Sequence, residues 1–288
     1  MSLTIQEALQ RASFQLRQTS LAQPRREAEA LLCAAIGKSL AWVYAHGEEI
    51  MPDKAVDIFT RWVQRRGSGE PYAYLCGERE FLGLPFTVTP AVLIPRPETE
   101  LLVEAVVQQL QNIKSPRILD VGVGSGAIAV SLATLLPQAT ITAVDIDPAA
   151  LSVAAQNAKR HQVDARIRFL QGDLYAPVAS EEFTAVVSNP PYIPTAEIVR
   201  LDATVKDYEP RRALDGGPDG LTFYRRLAGE LSTLAAPPSL LAFEIGEGQG
   251  SAIINLCHSV GYKNTCQISD LAGIARIILA EQREMETA

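Results

Sequence analysis

Over the first sixty or so residues apolar positions recur every three to four places. Ile5, Leu9, Ala12 and Leu16 fall on one helical face, and Ala28, Leu31, Leu32 and Ala35 repeat the stripe before a stop at Gly37. A third stripe runs from Lys54 to Gln64, with Pro52 ahead of it and Gly67 behind it. This spacing predicts a small helical bundle over residues 1–66. From Gly67 to Arg96 glycine and proline become frequent and the stretch Phe81 to Ile94 alternates, which predicts a β-hairpin linker over residues 67–96. Beyond residue 97 short apolar runs ending near Asp120, over Thr140–Val144, Phe183–Ser188, Leu240–Ile245 and Ile274–Ala280 read as strands. Helical stretches over Ala127–Leu136, Ala149–Arg160 and Leu221–Leu234 lie among them, so residues 97–288 are expected to form an α/β domain with a mostly parallel sheet. No internal repeat and no low-complexity segment interrupts this order.

The junctions carry the candidate chemistry. Asp120-Val121-Gly122-Val123-Gly124-Ser125-Gly126 joins the first of these strands to a helix. Glycines there let the backbone approach a ligand and aim helix N-terminal N–H groups at it. Gly122, Gly124 and Ala127 also fit a relaxed dinucleotide fingerprint, so a NAD-binding reading stands beside any other. Asp145 ends the next strand at the distance where a carboxylate reaches ribose hydroxyls in either class. Asp147-Pro148 then supplies an N-cap and a first-turn proline for the helix that follows.

Asn189-Pro190-Pro191-Tyr192 closes a later strand and separates these readings. The Asn189 carbonyl accepts a hydrogen bond. Two prolines lack N–H groups and stiffen the chain, leaving the Pro190 carbonyl as a second acceptor. Tyr192 adds a flat face with a polar tip. Two acceptors and one platform suit a planar amide or amine nitrogen. A bare Pro-Pro pair most often only ends a strand; Asn before it, Tyr after it and a glycine-rich loop upstream favour a site. Arg96, Glu98 and Glu100 read as a helix start, part of which could lid the cleft.

Composition narrows the partners. The chain has 288 residues, 47% hydrophobic content and a net charge of −7, with a pI near 5.1. That size and apolar content suffice for a packed core. The acidic balance argues against holding a polynucleotide by its phosphates. Residues 1–66 carry nine Lys or Arg against seven Asp or Glu, giving no basic face. No secretory leader pattern and no bilayer-length apolar run is present, so a cytoplasmic protein without membrane contact is expected. Cys33, Cys76, Cys257 and Cys266 form no paired motif and read as free thiols. His46, His161 and His258 are scattered, so no metal site is expected.

Asp120 to Gly126, Asp145 and Ser188-Asn189-Pro190-Pro191-Tyr192-Ile193 together resemble class I S-adenosylmethionine-dependent methyltransferases acting on amide or amine nitrogen. Further segments sharpen the likeness: Gly77-Glu78-Arg79-Glu80-Phe81 with Gly83-Leu84-Pro85-Phe86, and Val92-Leu93-Ile94-Pro95-Arg96-Pro97-Glu98-Thr99-Glu100. Tyr208-Glu209-Pro210-Arg211, Ala213-Leu214-Asp215-Gly216-Gly217 and Asp219-Gly220-Leu221 add to it. With these the chain resembles the release factor glutamine methyltransferases, the HemK/PrmC family, over nearly its whole length. The resemblance implies a Rossmann-like class I domain with a small N-terminal helical domain joined through a β-hairpin linker, the helical domain serving as a platform for a protein substrate. It implies S-adenosylmethionine as cofactor, bound by Gly122, Val123, Gly124, Ser125, Gly126, Asp145, Asp173, Leu174 and Asn189. Asn189, Pro190 and Tyr192 would be catalytic, and Asn189, Pro190, Pro191 and Tyr192 would bind substrate. Leu174 stands where some members place an aromatic against the adenine, and Tyr175 is the ring that would replace it. The implied partners are peptide chain release factors, methylated on the Gly-Gly-Gln glutamine in support of translation termination, with no direct nucleic-acid contact and a monomeric enzyme. Methylation of an adenine or cytosine amino group is the alternative within this chemistry. A NAD-dependent dehydrogenase or a non-catalytic nucleotide-binding module is the alternative outside it.

Overall fold

The structure, a computed structural model, describes residues 3–282. The chain forms two compact units, one of residues up to Glu78 together with Asp202–Tyr208, the other of Arg79–Leu201 together with the chain from Glu209 onward.

The first unit is helical. It comprises α1 (Ile5–Leu16), α2 (Pro24–Ile36), α3 (Leu40–Ala45), α4 (Asp53–Gly67) and α5 (Tyr72–Cys76). Thr4 caps α1 in a reciprocal box with Glu7, each side chain meeting the other's backbone N–H at 3.2 Å. Pro24 opens α2 and Gly37 ends it in the left-handed region. The stripes read from sequence meet as expected, with Leu16, Leu31, Leu32, Phe59 and Val63 buried together. Two elements escaped the periodicity: α3 and α5 are too short to show a stripe. The segment Asp202–Tyr208 was not legible as part of this unit either; there the Tyr208 hydroxyl donates to the Ser68 carbonyl at 2.7 Å.

The second unit begins at Arg79, within a hairpin of β1 (Glu78–Phe81) and β2 (Leu84–Thr87). The alternation read as a hairpin through Ile94 is one only as far as Thr87. Beyond that point Val88, Val92 and Ile94 are buried without pairing in a sheet, because inward-facing residues alternate in an extended chain whether or not it has a partner strand. Then come α6 (Pro97–Leu110), β3 (Arg117–Val121), α7 (Ala127–Leu135), β4 (Thr140–Asp145), α8 (Pro148–Arg160), β5 (Ile167–Gln171) and β6 (Ala185–Ser188). The chain passes through α9 (Ala203–Lys206), in the first unit, and returns as α10 (Thr222–Gly229), β7 (Leu240–Glu244), α11 (Gly250–Ser259), β8 (Asn264–Ser269) and β9 (Ala275–Glu281).

Seven strands form one sheet in the order β5-β4-β3-β6-β7-β9-β8. The first five in that order run parallel, and β9 is antiparallel to both β7 and β8. The parallel strands are apolar throughout because helices cover both faces: β6 and β7 are buried along their full length. One core cluster joins Leu102, Val106, Ile128 and Ile141 on one side of the sheet, and another joins Tyr175, Tyr224, Phe243 and Tyr262 on the other. The order reverses direction between β3 and β6, so a crevice opens at their carboxyl ends.

Candidate functional site

The glycine-rich loop leaves β3 and the Asn-Pro-Pro-Tyr segment leaves β6, the two strands that flank the reversal. A cavity of about 390 Å3 lies there. Gly122, Val123, Gly124, Ser125, Asp145, Asp173, Leu174, Asn189, Pro190 and Pro191 all reach its wall. Gly126 and Tyr192 do not. Gly126 turns the chain into α7 at φ 83°, and a Cβ there would sit 3.1 Å from the Ala154 backbone of α8, so its glycine serves the contact between two helices. Tyr192 packs against the core behind the site, and a Cβ on Gly246 would meet its ring edge at 3.1 Å.

The side expected to take the cofactor is made of backbone. The amides of Gly122 and Val123 both donate to the Val144 carbonyl, at 2.8 and 3.0 Å, which folds the loop over the end of β4. Gly122 and Gly124 adopt φ 80° and 54°, conformations costly to any residue with a Cβ, and no atom crowds the space in which that Cβ would lie. The Asp145 carboxylate accepts from Gly124 N through one oxygen and from Asp147 N through the other, each at 2.9 Å. Burial raises its pKa, and those two amides oppose the rise. Each oxygen keeps acceptor capacity for a ligand hydroxyl. Ile146, Leu174 and Phe223 add apolar wall beside it. A pair of carboxylate oxygens next to an apolar slot, with open backbone beyond, suits a nucleoside bearing a second polar group.

The ring expected from Tyr175 is absent from this wall. Tyr175 is fully buried, its hydroxyl donating to the Leu227 carbonyl at 2.9 Å, because Leu174 takes a left-handed φ of 46° and sends the next residue inward. The aromatic that does reach the cavity is Phe223 of α10, which no local pattern marked.

The side expected to hold the methyl acceptor is fixed by side chains. Asn189 Nδ2 donates to Thr99 Oγ1 at 3.1 Å, and Thr99 Oγ1 donates in turn to Glu244 Oε2 at 2.5 Å. With its N–H side so engaged, Asn189 keeps its carbonyl oxygen without a partner among the described residues, and the Pro190 carbonyl is likewise free. Ser188 Oγ donates to the Val121 carbonyl at 2.7 Å, tying β6 to the end of β3. The Tyr192 carbonyl accepts from Gln249 Nε2 at 2.9 Å, and Gln249 Oε1 accepts from Gly246 N at 2.9 Å. Asp215–Gly220 lies directly against this segment: a Cβ at Gly216 would come within 2.7 Å of Tyr192 Cα, and one at Gly220 within 2.3 Å of the Tyr192 carbonyl oxygen.

The helix start at Arg96–Glu100 is not a solvated cluster. Arg96 pairs with the buried Glu209 at 2.5 Å, Glu209 also accepts from Ile94 N at 3.1 Å, and Glu100 accepts from Leu82 N at 2.8 Å. Arg96 lines the cavity, as does Arg212, which pairs with Asp147 at 3.0 Å. Among the described residues no group of His, Cys, Asp and Glu could hold a metal ion.

A Rossmann-like sheet with one antiparallel strand near its edge, a glycine-rich loop on its first strand and an acidic residue closing the second define the class I S-adenosylmethionine methyltransferase fold. A solved methyltransferase from Pyrococcus furiosus shares it, at a TM-score of 0.52 and 18% identity over 70% of this chain and 90% of that one. Residues 97–204 match the Methyltransferase small domain, and residues 7–77 match the PrmC N-terminal domain. A release factor glutamine methyltransferase from Moorella thermoacetica is 47% identical over 98% of this chain and the whole of its own length, and one from Geobacter sulfurreducens is 38% identical over 96% of this chain and 95% of its own. The chain belongs to the release factor glutamine methyltransferase family.

Proposed function

We propose that this protein transfers a methyl group from S-adenosylmethionine to the side-chain amide nitrogen of the glutamine in the Gly-Gly-Gln motif of peptide chain release factors. The observation that carries the acceptor assignment is the Asn189 amide, held through its nitrogen by Thr99 so that its oxygen remains the free acceptor at the cavity wall.

The cofactor would lie along the backbone of Gly122 to Gly126, its ribose hydroxyls on Asp145, its adenine between Ile146, Leu174 and Phe223, with Asp173 nearby. When bound it supplies an electrophilic methyl on sulfonium, the carbon–sulfur bond breaking as the carbon–nitrogen bond forms. An amide nitrogen is a poor nucleophile because its lone pair is shared with the carbonyl. Asn189 Oδ1 and the Pro190 carbonyl would accept its two N–H bonds, which aims the nitrogen and stabilises the positive charge that grows on it. Tyr192, its backbone carbonyl held by Gln249, would brace the segment from behind the cavity, with Pro191 keeping it stiff. The nitrogen sheds its extra proton to water, so no strong base is required at the motif.

The helical unit would receive the release factor, and Phe14 and Ile50, both well exposed on it, are apolar groups suited to that contact. The enzyme would act as a cytoplasmic monomer without direct nucleic-acid contact. No helix among the described residues is long and apolar enough to cross a membrane. The test is incubation with labelled S-adenosylmethionine, a release factor and a nucleic-acid control, followed by peptide mass mapping. Label on the Gly-Gly-Gln glutamine is expected; label in nucleic acid alone would overturn the proposal.

A further inference from the structure

Glu244 is a carboxylate that the reaction as described does not use. It ends β7, is 2% exposed, and lies behind the Asn-Pro-Pro-Tyr segment. Burying a charge in such a place is costly unless it is paired and hydrogen-bonded, so its partners carry information. We infer that Glu244, acting through Thr99, is a positioning residue that fixes which end of the Asn189 amide faces the substrate. The inference rests on the acceptor role given to Asn189 above.

The argument turns on hydrogen-bond direction. An ionised carboxylate only accepts, whereas a hydroxyl both donates and accepts. Thr99, itself buried in the first turn of α6, must therefore spend its one hydrogen on Glu244, over 2.5 Å. Its oxygen is left to accept, so Asn189 must present its NH2 group there, as it does at 3.1 Å. The chain N–H to O–H to carboxylate runs one way only. It leaves Asn189 Oδ1 as the acceptor for a substrate N–H. If the end of that chain could donate, Thr99 could turn its hydrogen toward Asn189, and the amide could flip to offer a donor where the substrate also has donors.

The surroundings of Glu244 make its charge adjustable. Burial raises its carboxyl to about 7; the hydrogen bond from Thr99 lowers it, Glu98 on α6 raises it, and the nearby Asn189 amide and Arg276 on β9 lower it. The other groups facing it are Tyr192 and Tyr224, neutral phenols whose ionisation Glu244 suppresses, the Tyr224 hydroxyl being bound to the Glu244 backbone carbonyl at 2.6 Å.

The test is single-turnover methyl transfer from S-adenosylmethionine to a release factor, with E244Q, T99V, T99S, N189A and the N189A/E244Q double variant. Gln keeps the shape of Glu but can donate to Thr99; Val keeps the shape of Thr but breaks the relay. E244Q and T99V are expected to lose about tenfold or more in the transfer rate, the scale of a misplaced reacting group, with cofactor affinity by calorimetry unchanged. T99S, which keeps the hydroxyl, should retain a near-wild-type rate. The double variant should be no slower than N189A, since there is no amide left to orient. Wild-type rates should fall as pH drops through about 7 while E244Q shows a flat low profile over that range; contributions from other titrating groups are common to both. Near-wild-type rates in E244Q and T99V alongside a slow N189A would overturn the inference and leave the proposed site standing. A near-wild-type N189A would instead overturn the site. If E244Q fails to fold, the contrast between T99V and T99S decides alone.

Discussion

The two strand ends that meet in the cleft are built on opposite plans. The loop after β3 presents backbone: Gly122 and Gly124 turn through left-handed conformations with open space in front of them, and its anchoring bonds go to Val144 and Asp145 on the neighbouring strand. The segment after β6 presents one side-chain oxygen and one carbonyl, and is held from behind by Thr99, Glu244 and Gln249 and from outside by Gly216 and Gly220. A surface that binds through its main chain needs only small residues and one partner strand, so its instructions are local. If Asn189 aims an acceptor at a weak nucleophile, as proposed, the rotation of its amide must be fixed, and Thr99 and Glu244, which hold it, come from other elements.

The sharpest way to break this contrast is to place a side chain on the backbone surface. Gly124→Val puts Cβ and its methyls into the open space where a ligand would lie, and adds strain of about 1–2 kcal/mol at φ 54°. Calorimetry should show no binding of S-adenosylmethionine or its demethylated product, while a thermal melt still shows a cooperative transition. Tight binding by the variant would mean that the loop does not approach the ligand. On the acceptor side Asn189→Ala should do the reverse, lowering single-turnover transfer by roughly a hundredfold to a thousandfold at saturating cofactor, the scale for removing one preorganised polar group. A rate near wild type would reduce Asn-Pro-Pro-Tyr to a turn.

The same contrast explains what could be read from the sequence. Gly122 to Gly126, Asp145, the Asp147 cap and Asn189 announce themselves because each sits in a short motif that can be read without its distant partners, a glycine-rich turn, a strand end or a cap: Asp147 Oδ1 accepts from Ala149 N at 3.0 Å, as an N-cap should. Thr99 and Glu244 do not, since 90 residues separate Thr99 from Asn189 and 145 separate it from Glu244. Thr99 reads as one polar residue in a helix start, and Glu244 as the end of an apolar strand. Strand β8 was missed for a different reason. It is an edge strand with no fully buried residue, so Asn264 to Ser269 shows no apolar signal. Tyr175 was misassigned because the backbone turn at Leu174 reverses which neighbour faces the cleft, and a non-glycine residue gives no warning of a left-handed φ.

Behind the cofactor loop a second buried acid sharpens the contrast further. Asp120 of β3 is wholly inaccessible and neither carboxylate oxygen has a hydrogen-bond partner among the described residues, unlike Glu244. Burial raises its pKa to about 7; the Ala129 amide opposes this and the Asp145 charge adds to it. The folded state therefore holds a proton on Asp120 that the unfolded chain releases near pH 4. Between those values the folded state binds more protons, so this group's contribution to stability falls as pH rises from about 4 to about 7 and is level above. The loss is on the order of a few kcal/mol. Asp120→Asn should remove it: measured by denaturant unfolding without cofactor, the stability of wild type relative to the variant should decline across that window. A difference independent of pH would show that Asp120 stays ionised, with a partner.

The smallest expected effect concerns the ring that does not line the cleft. Tyr175 spends its hydroxyl on the Leu227 carbonyl inside the core, 2.9 Å away, whereas Phe223 reaches the cavity. If the apolar slot for an adenine is built by Ile146, Leu174 and Phe223, removing the Tyr175 hydroxyl touches only the fold. Tyr175→Phe leaves the Leu227 carbonyl unpaired and should cost about 1 kcal/mol, within the range for one buried hydrogen bond. Cofactor affinity should not change. Phe223→Ala should behave the other way, weakening the cofactor with little loss of stability, because a half-buried ring on α10 contributes less to the core than a fully buried one. The pair is read by calorimetry and denaturant unfolding on the same preparations. A Tyr175→Phe variant with weakened cofactor binding and Phe223→Ala with none would return the adenine contact to Tyr175 and require the chain at Leu174 to turn the other way when the cofactor binds.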